Sequence, residues 1–549
     1  MKKNLFLAGV LATAFLFGCS DDIPDKGGVN DVTGDVGYVK VAINLPTVSG
    51  ISVKANGNDN FDDGIEAEYK VNDIILAIFE GENEANATFK EAHKLTTLHG
   101  EKVSGNVTVK YQPNVVEINK PEKSVFALAI VNGSDYFTVS DKSLKFNNEI
   151  FSGNLSKLNV VAQNVDLSKI ANLEGQNFLM TNAPITNKPS ATTKTDDRTV
   201  TTLVKLKVYD TKAEAEVDRE NADKIYVERA VAKVTTSVKS TGGNTLTISA
   251  PDMASYDGAM VTFEGWKLNL TNKTYFPVRN VSEWSTWEDY NTATAVNRFF
   301  GETANPYRVY WAIDPNYTNT VVQDPTDLNV IKEHSEGQWN MMGKDEYCAE
   351  NTTTAAEMNR ARLTGVLLKA KFTLKNGTEN DNLFMYGTSS SIYSEEQFLD
   401  ILKNTLNYEL QVKSGAIAQT IASADKVKEV FEFKDGTTMD ETKAGNILTA
   451  CLDKIRFYKG GVMFYYTTVI KHFSDITDAA GTTYAEKDHL GLYGVVRNNW
   501  YNIMINSVSG PGEPEIPVIP DEPVNKKHSF INAEINILSW AKRTQDVDL

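Results

Sequence analysis

Apolar and polar residues alternate along most of the chain, which is the pattern of β-strands with one buried face. Stretches with this period of two lie at 38–46, 73–80, 124–133, 201–210, 232–240, 365–374, 461–470 and 500–510. Helical spacing is best developed at 394–408, where Ser394 is a suitable N-cap, and is weaker at 443–458. The sequence therefore predicts a mostly β protein, built of β-sandwiches with short helical insertions.

The first predicted strand, YVKVAINLP (38–46), has a clear apolar face. A strand of the same pattern, FINAEINILSW (530–540), lies at the other end of the chain. Its apolar face ends near Trp540. The apolar faces of the two strands are formed by Val39, Val41, Ile43 and Leu45 in the first and by Ile531, Ala533, Ile535 and Ile537 in the last.

A proline-rich segment, PGEPEIPVIPDEP (511–523), separates this last strand from the rest of the chain. Prolines cannot donate to a strand ladder, so the segment predicts an extended spacer. The short strand after it cannot bury its apolar face alone and must pair with another sheet. The sequence leaves two partners open, which are the strand's own domain and a second copy of the chain.

The start of the chain has the form of a signal peptide. Lys2 and Lys3 precede the apolar stretch 5–17, which is shorter than the roughly 20 residues that a bilayer-spanning helix needs. The sequence 16–19, LFGC, looks like a bacterial lipobox, which predicts cleavage between Gly18 and Cys19 and acylation of Cys19. The alternative is an ordinary secretory signal with an accidental cysteine.

Acidic residues follow the cysteine directly, at Asp21 and Asp22. This arrangement resembles the surface-export signal of Bacteroidota lipoproteins. We therefore expect an outer-membrane lipoprotein precursor that is exposed at the cell surface.

The segment after the first strand, TVSGISVKANGNDNFDDG (47–64), is rich in Gly, Asn, Asp and Ser and contains one basic residue, Lys54. A protease binds such an exposed segment in extended form. Cleavage between Lys54 and Ala55 would remove the lipid anchor together with the first strand. The last strand of another copy could then fill the open groove, which is donor-strand exchange and would build a filament. The alternative is that Lys54 is an ordinary solvated loop residue.

The length, charge and cysteine content of the chain bear on its domain count and its partners. The 549 residues suggest two domains, and the net charge of −17 with a pI near 5.0 argues against binding to nucleic acid or anionic lipid. Beyond Cys19, the cysteines are Cys348 and Cys451, and whether they form a disulfide is left open.

We find no sequence motif for catalysis. The six histidines form no HExxH motif, no P-loop or GxSxG sequence is present, and NGNDNFDDG (56–64) fails the EF-hand spacing. We therefore expect no enzyme activity, cofactor or metal. The aromatic cluster of SEWSTWEDYN (282–291), with Trp284, Trp287 and Tyr290, could stack on a sugar ring. A monomeric, glycan-binding surface lipoprotein is therefore the alternative function.

Several segments resemble one family, the fimbrillins of type V pili in the Bacteroidota, most closely the shaft subunit of a short (minor) fimbrium. They are the lipobox at Cys19, the basic residue Lys54, IYVERAVAKV (225–234), GVLLKAKFT (365–373), YYTTVI (465–470), YGVVRNNWYNIMINSV (493–508), the proline-rich spacer with Trp540, and the terminal DVDL (546–549).

The resemblance implies two tandem transthyretin-like β-sandwich domains and a C-terminal donor strand. It also implies a role in adhesion and biofilm formation, with identical subunits, anchor and tip subunits, and host or bacterial surface ligands as partners. A surface protease directed at Lys or Arg would process the precursor; the family cut commonly follows arginine, whereas this chain has Lys54. A tip or anchor role is the alternative within the family. The expected segments are a signal peptide (1–18), a propeptide (19–54), an N-terminal sandwich (55–224), a C-terminal sandwich (225–510), a spacer (511–527) and a donor segment (528–549).

Overall fold

The structure is a computed structural model of the chain. It describes residues 36–46, 60–61, 64–95, 100–101, 107–159, 163–186, 200–218, 222–281, 299–300, 307–309, 311–318, 322–332, 337–466, 469–472, 482–484, 489–524, 534–539 and 541–548. The predicted signal peptide, Cys19, Lys54, Ala55 and the aromatic cluster of 282–290 lie outside these residues.

The strands up to residue 229 mostly build one large sheet. They are β1 (Val36–Pro46), β2 (Asn60–Phe61), β3 (Ile74–Gly81), β4 (Thr88–Leu95), β5 (Gly100–Glu101), β6 (Val107–Asn119), β7 (Ser124–Val131), β8 (Phe137–Ser140), β9 (Ser143–Phe146), β10 (Glu149–Ile150), β11 (Gln163–Asn164), β12 (Ala171–Asn172), β13 (Asn177–Phe178), β14 (Met180–Asn182), β15 (Ile185–Thr186), β16 (Val204–Leu206), β17 (Val208–Tyr209) and β18 (Asp223–Arg229). The helices of this part are α1 (Glu66–Tyr69), α2 (Leu155–Asn159), α3 (Leu167–Ile170) and α4 (Lys212–Val217), with a 3₁₀ turn at Glu84–Asn86.

The large sheet has the order β4-β3-β7-β14-β18-β1-β6-β5, with β16 joined to β7 and β17 joined to β1. Side chains from distant strands of this path meet in one hydrophobic core, among them Ile43, Leu76, Leu128 and Ile225. The core of this N-terminal sandwich therefore lies between distant strands that belong to one continuous sheet.

The strands from residue 232 onward build the second part. They are β19 (Ala232–Val238), β20 (Thr245–Thr247), β21 (Met260–Asn269), β22 (Thr271–Asn272), β23 (Thr274–Tyr275), β24 (Phe299–Phe300), β25 (Tyr307–Val309), β26 (Leu328–Asn329), β27 (Asp345–Cys348), β28 (Gly365–Thr373), β29 (Leu383–Tyr386), β30 (Tyr393–Ser394), β31 (Leu410–Val412), β32 (Gln419–Ile421), β33 (Phe431–Phe433), β34 (Ile455–Tyr458), β35 (Val462–Tyr466), β36 (Asn499–Ser507), β37 (Glu534–Ser539) and β38 (Ala541–Asp548). Its helices are α5 (Glu395–Leu406), α6 (Ala424–Val430) and α7 (Glu441–Ala450), with 3₁₀ turns at Ala355–Glu357 and Lys459–Gly461.

Two sheets face each other across the core of this C-terminal sandwich. One has the order β2-β38-β37-β36-β19-β27 and the other the order β20-β21-β28-β35. Their shared core includes Val234 and Ile503 from the first sheet and Val261 and Leu368 from the second. The predicted mostly β, sandwich-type fold is therefore confirmed.

A helical insertion separates β28 from β35, although these two strands are antiparallel neighbours. It has its own sheet, β30-β29-β34-β32, and its own core around Phe384 and Phe398. Ser394 caps α5 as predicted, because its hydroxyl accepts the N–H of Gln397. The second predicted helix, 443–458, is wrong in its C-terminal half. The backbone has positive φ at Leu452 and Asp453, which ends the helix before β34.

The chain passes from one sandwich to the other at Ala230 and Val231, between β18 and β19. The segment IYVERAVAKV (225–234) contains no turn residue, so its sequence pattern gives no sign of where one sheet ends. β18 pairs with β1 and β14, and β19 pairs with β36 and β27.

The predicted spacer is extended, but its described part, 511–524, packs along the C-terminal sandwich. Glu513 and Phe464 exchange both backbone hydrogen bonds, at 2.8 and 2.9 Å. Ile516 and Ile519 are buried, whereas Val518 is 84% exposed. The prolines recur every third residue, the period of a polyproline II helix. Ile516 and Ile519 lie on a second face of this period, between Glu513 and Glu522, and that face lies against the protein. We call residues 511–524 the proline strap.

Candidate assembly site: the first strand and its groove

Strand β1 lies in the interior of the large sheet, with neighbours on both sides. On one side it runs antiparallel to β6, with pairs from Val36–Asn119 to Pro46–Val107. On the other side its first half is antiparallel to β17 and its second half is parallel to β18. Removal of β1 would therefore leave a groove with two walls, each of which presents unpaired backbone amides and carbonyls.

The apolar face of β1 is fully packed. Val39, Val41 and Ile43 are 0% exposed and Leu45 is 3% exposed, and all four belong to the N-terminal core. Burial of four side chains of this size contributes roughly 6–12 kcal/mol. Any strand that replaces β1 must fill this volume with residues of similar size.

The opposite face of β1 carries a buried lysine. Lys40 is 5% exposed, and its Nζ donates hydrogen bonds to the carbonyl oxygens of Asp218, at 2.9 Å, and Glu216, at 3.4 Å. These carbonyls belong to the C-terminal end of α4, where the helix dipole favours a cation. Lys40 therefore fixes α4 to the first strand.

The wall strand β18 leads directly into a buried ionic junction between the two sandwiches. Lys233 on β19 contacts Glu68 of α1 at 2.8 Å and Asp345 of β27 at 2.9 Å. Arg229, the last residue of β18, donates to the backbone carbonyl of Glu68 at 2.7 Å. Burial alone would raise the pKa of Glu68, but Lys233 and Arg229 together hold that pKa below its usual value. The carboxylate is therefore charged and links both sandwiches.

Two more ion pairs lie in the same junction. Arg279 contacts Glu228 at 2.7 Å, and Arg497 contacts Glu350 at 2.8 Å, with all four side chains buried. The side-chain amide oxygen of Asn498 accepts from the guanidinium of Arg229 at 3.2 Å. The charged residues of two segments that resemble fimbrillins, 225–234 and 493–508, thus meet at this junction.

The C-terminal segment forms a hairpin beside β36 of its own chain. β37 is antiparallel to β38 and meets β36 at the pair Ser539–Asn499, while β38 runs parallel to β36 from Trp500–Lys542 onward. Of the predicted donor residues, Ile535 and Ile537 lie on β37, and Ile531, Ala533 and Trp540 lie outside the described residues. In this structure the C-terminal strand thus pairs with its own domain, which is one of the two arrangements left open by the sequence.

The described residues hold little that could support chemistry. Among them, no group of three or more His, Cys, Asp or Glu side chains is arranged for a metal ion. No helix within the same ranges is long and apolar enough to cross a membrane.

Cys348 and Cys451 are both free and buried, in two separate cores, and burial raises the pKa of each thiol. Neither cysteine is a reactive thiolate.

Two features of the structure were not predicted from the sequence: the buried position of Lys40 and the packing of the proline strap. A lysine between two inward-facing valines is typical of a solvated strand face, so no sequence signal distinguishes Lys40 from an exposed residue. The proline strap did have a signal, which is the three-residue spacing of its prolines combined with Ile516 and Ile519 on one face.

A segment near the C-terminal end of the chain matches a family of known proteins. Residues 456–546 match the family model described as major fimbrial subunit protein type IV, fimbrillin, C-terminal. This range begins in β34 and extends into β38, so it includes β36 and the C-terminal hairpin. No curated protein matches the chain.

Solved structures that are similar to the chain include a fimbrilin from Porphyromonas gingivalis. It has 12% sequence identity and a TM-score of 0.35, and the match covers 93% of this chain and 95% of that one. The tip fimbrial protein Mfa3 from the same organism has 10% identity and a TM-score of 0.30, with 92% of this chain and 100% of that one covered. The sequence match shows that residues 456–546 are similar to the C-terminal region of fimbrillins, and it confirms the resemblance predicted from the sequence.

Proposed function

We propose that the chain is the shaft subunit of a type V pilus, which polymerises head to tail after proteolytic loss of its first strand. The observation that carries the proposal is the central position of β1, between β6 and the pair β17 and β18. A strand held only by non-covalent contacts can be exchanged once it is cut from the chain, whereas the groove around it stays defined by its two walls.

The predicted cleavage point fits this geometry. β1 ends at Pro46 and β2 begins at Asn60, so Lys54 lies on the connection between two described strands. A cut there detaches β1 without interrupting any described element. β2 pairs with the first residues of β38, so the new N-terminal region would lie beside the C-terminal hairpin.

Exchange competes with the pairing that β37 makes with β38 and β36 in the single chain. At the edge beside β36, the C-terminal hairpin pairs with one sandwich sheet, and β38 has the largely polar sequence AKRTQDVD. Inside a vacated groove, a strand gains ladder hydrogen bonds on both sides and buries an apolar face. This gain must offset association and ordering costs of about 4–15 kcal/mol, which a full strand of Ile-sized residues can do.

Because the donor strand and the groove lie on different parts of the subunit, the contact is heterologous and repeats along a filament. The proposed role of that filament is adhesion and biofilm formation. Its subunits would first be exported as lipoprotein precursors that are anchored to the outer membrane through Cys19. Its partners would be further subunits, the anchor and tip proteins, the processing protease and the surface ligands.

Limited trypsin treatment of the full-length precursor tests this function. The account expects a new N-terminus at Ala55, read by N-terminal sequencing, and a ladder of oligomers that resists mild detergent and appears as fibres in electron micrographs. The Lys54→Gln variant is the matched control and should remain monomeric. Wild-type protein that is cut after Lys54, loses β1 and stays monomeric would contradict the proposal.

A further inference from the structure

Lys40 differs from the other residues of β1 in what it contacts. Its ammonium group lies in a pocket formed by the end of α4, where the carbonyl oxygens of Glu216 and Asp218 accept its hydrogen bonds. Because Lys40 as a whole is 5% exposed, its ammonium group gives up hydration that these charge-assisted hydrogen bonds replace.

The pocket is built by residues that also touch β1. Tyr209 on β17 pairs with Tyr38 of β1, and its hydroxyl donates to the carboxylate of Asp218 at 2.9 Å. The same carboxylate accepts from Lys207 at 2.9 Å. Asp218 is therefore held in place from two sides, and its backbone carbonyl is presented to β1. We call Glu216, Asp218 and Tyr209 the lysine pocket.

The apolar stretch of the proposed donor strand has no cation for this pocket, and the cations of the donor segment, Lys542 and Arg543, lie beyond Trp540. Residues 530–540, FINAEINILSW, contain no lysine or arginine. The alternation of the strand sets Asn532, Glu534 and Asn536 on the face opposite to its apolar residues, which corresponds to the face of β1 that carries Lys40. A donor in the groove would thus leave the pocket carbonyls without their cation, or place a carboxylate beside them.

We propose that Lys40 is a specificity residue that makes the groove prefer the chain's own first strand over the donor strand. It thereby keeps the unprocessed chain monomeric. This inference rests on the proposed function. While β1 is covalently attached, its effective concentration is high and Lys40 adds to its advantage. After cleavage the advantage of covalent attachment is lost, so fragment 19–54 can dissociate from the groove and the donor strand of another copy can bind.

Peptide exchange on the uncleaved chain tests the first part. The probe is a fluorescent synthetic peptide of residues 528–549, added to full-length precursor, and the readout is the bound fraction by gel filtration. Lys40→Met should increase peptide capture at least about 10-fold, the size expected for loss of a charge-assisted hydrogen bond. Lys40→Arg should restore the low wild-type level. Lys90→Met, which changes an exposed lysine of β4, a strand that is not a neighbour of β1 in the sheet, is the control and should capture no more than wild type.

Lysine substitutions in the peptide test the pocket without changing the protein. The acceptor is trypsin-cleaved chain from which the fragment with β1 has been removed. One of the peptides with Asn532→Lys, Glu534→Lys or Asn536→Lys should bind roughly 10-fold more tightly than the wild-type peptide, because it returns a cation to the pocket. A peptide with Ile535→Lys, on the apolar face, should bind more weakly.

The outcomes separate the two proposals. If the wild-type peptide does not bind the cleaved acceptor, donor-strand exchange itself is wrong. If it binds, but Lys40→Met captures no more peptide than wild type and no lysine peptide binds more tightly, the role of Lys40 is wrong and the proposed function stands.

Discussion

Glu68 and Lys233 form an ion pair of 2.8 Å, with 0% and 2% of their side chains exposed, and they join α1 of the N-terminal sandwich to β19 of the C-terminal one. The Lys233 ammonium also lies 4.2 Å from the ring centre of Trp500 on β36. The groove wall β18 ends at Arg229, which contacts Glu68 as well. The wall of the proposed acceptor groove is therefore fixed by contacts with both sandwiches.

Breaking this pair should destabilise the whole chain. Lys233→Met removes the cation but leaves the carboxylate of Glu68 buried, which is expected to cost about 3–5 kcal/mol in the free energy of unfolding. Denaturant unfolding of the full chain measures the loss. The exposed Lys224→Met is the matched control, and its stability should lie within about 0.5 kcal/mol of wild type. A loss just as small for Lys233→Met would show that the junction is not held by this pair.

The stability of the protein should fall between mildly acidic and neutral pH. Burial raises the pKa of Glu84, Asp314 and Glu346 to about 7 each. Between the ordinary carboxyl value and 7, the folded chain holds protons that the unfolded chain has released, so the free energy of unfolding decreases as pH rises through this window. Denaturant unfolding measured at pH 5 and at pH 7.5 checks the sign; equal or greater stability at pH 7.5 would contradict it.

Asp314→Asn isolates one of these groups. Asp314 accepts backbone N–H groups of Asn316 and Thr352, and its side chain is 3% exposed. The amide cannot titrate, so the variant should show a smaller decrease in stability from pH 5 to pH 7.5 than the wild type. An unchanged decrease would assign the pH dependence to the other carboxyls.

The proline strap should contribute to the stability of the C-terminal sandwich. Ile519 is 2% exposed and packs with Leu270, Leu328 and Ala361. Ile519→Asp places a charge among these side chains and should cost roughly 3 kcal/mol in the free energy of unfolding. Val518→Asp, one residue earlier and 84% exposed, should have almost no effect. Equal effects of the two substitutions would mean that the strap does not pack as described.

Deletion of residues 528–549 should separate folding from assembly. The hairpin β37–β38 lies beside β36, and a core of the C-terminal sandwich is described on other strands, with Val234, Val261 and Leu368 among its residues. We expect the truncated precursor to fold as a monomer, with near-UV circular dichroism like that of wild type, and to form no ladder after trypsin. Polymerisation at the wild-type rate would show that another strand is the donor.

The sequence predicts some parts of the molecule well. The positions of β1 and β28 follow from alternation. Those of β3 and β7 follow from short apolar runs, and nearly every residue on both faces of these two strands is buried. The capped start of α5 follows from Ser394. These features depend on residues that are neighbours in sequence, so their pattern is local.

Other features depend on contacts between distant residues. Glu68 and Lys233 are 165 positions apart, and no local pattern indicates that they meet. The same holds for Lys40, whose partners lie at 216 and 218. The change between β18 and β19 has no sequence signal either, because strand periodicity continues through Ala230 and Val231 and only the pairing partners change.

The most direct test is a cryo-EM map of fibres grown from trypsin-processed protein. We predict that density for Val36–Pro46 is absent, and that the C-terminal strand of the neighbouring subunit, around Glu534–Ser539, lies between β6 and β18. The account would be contradicted by fibres in which Val36–Pro46 still occupies the groove and Glu534–Ser539 pairs with β36 of its own subunit.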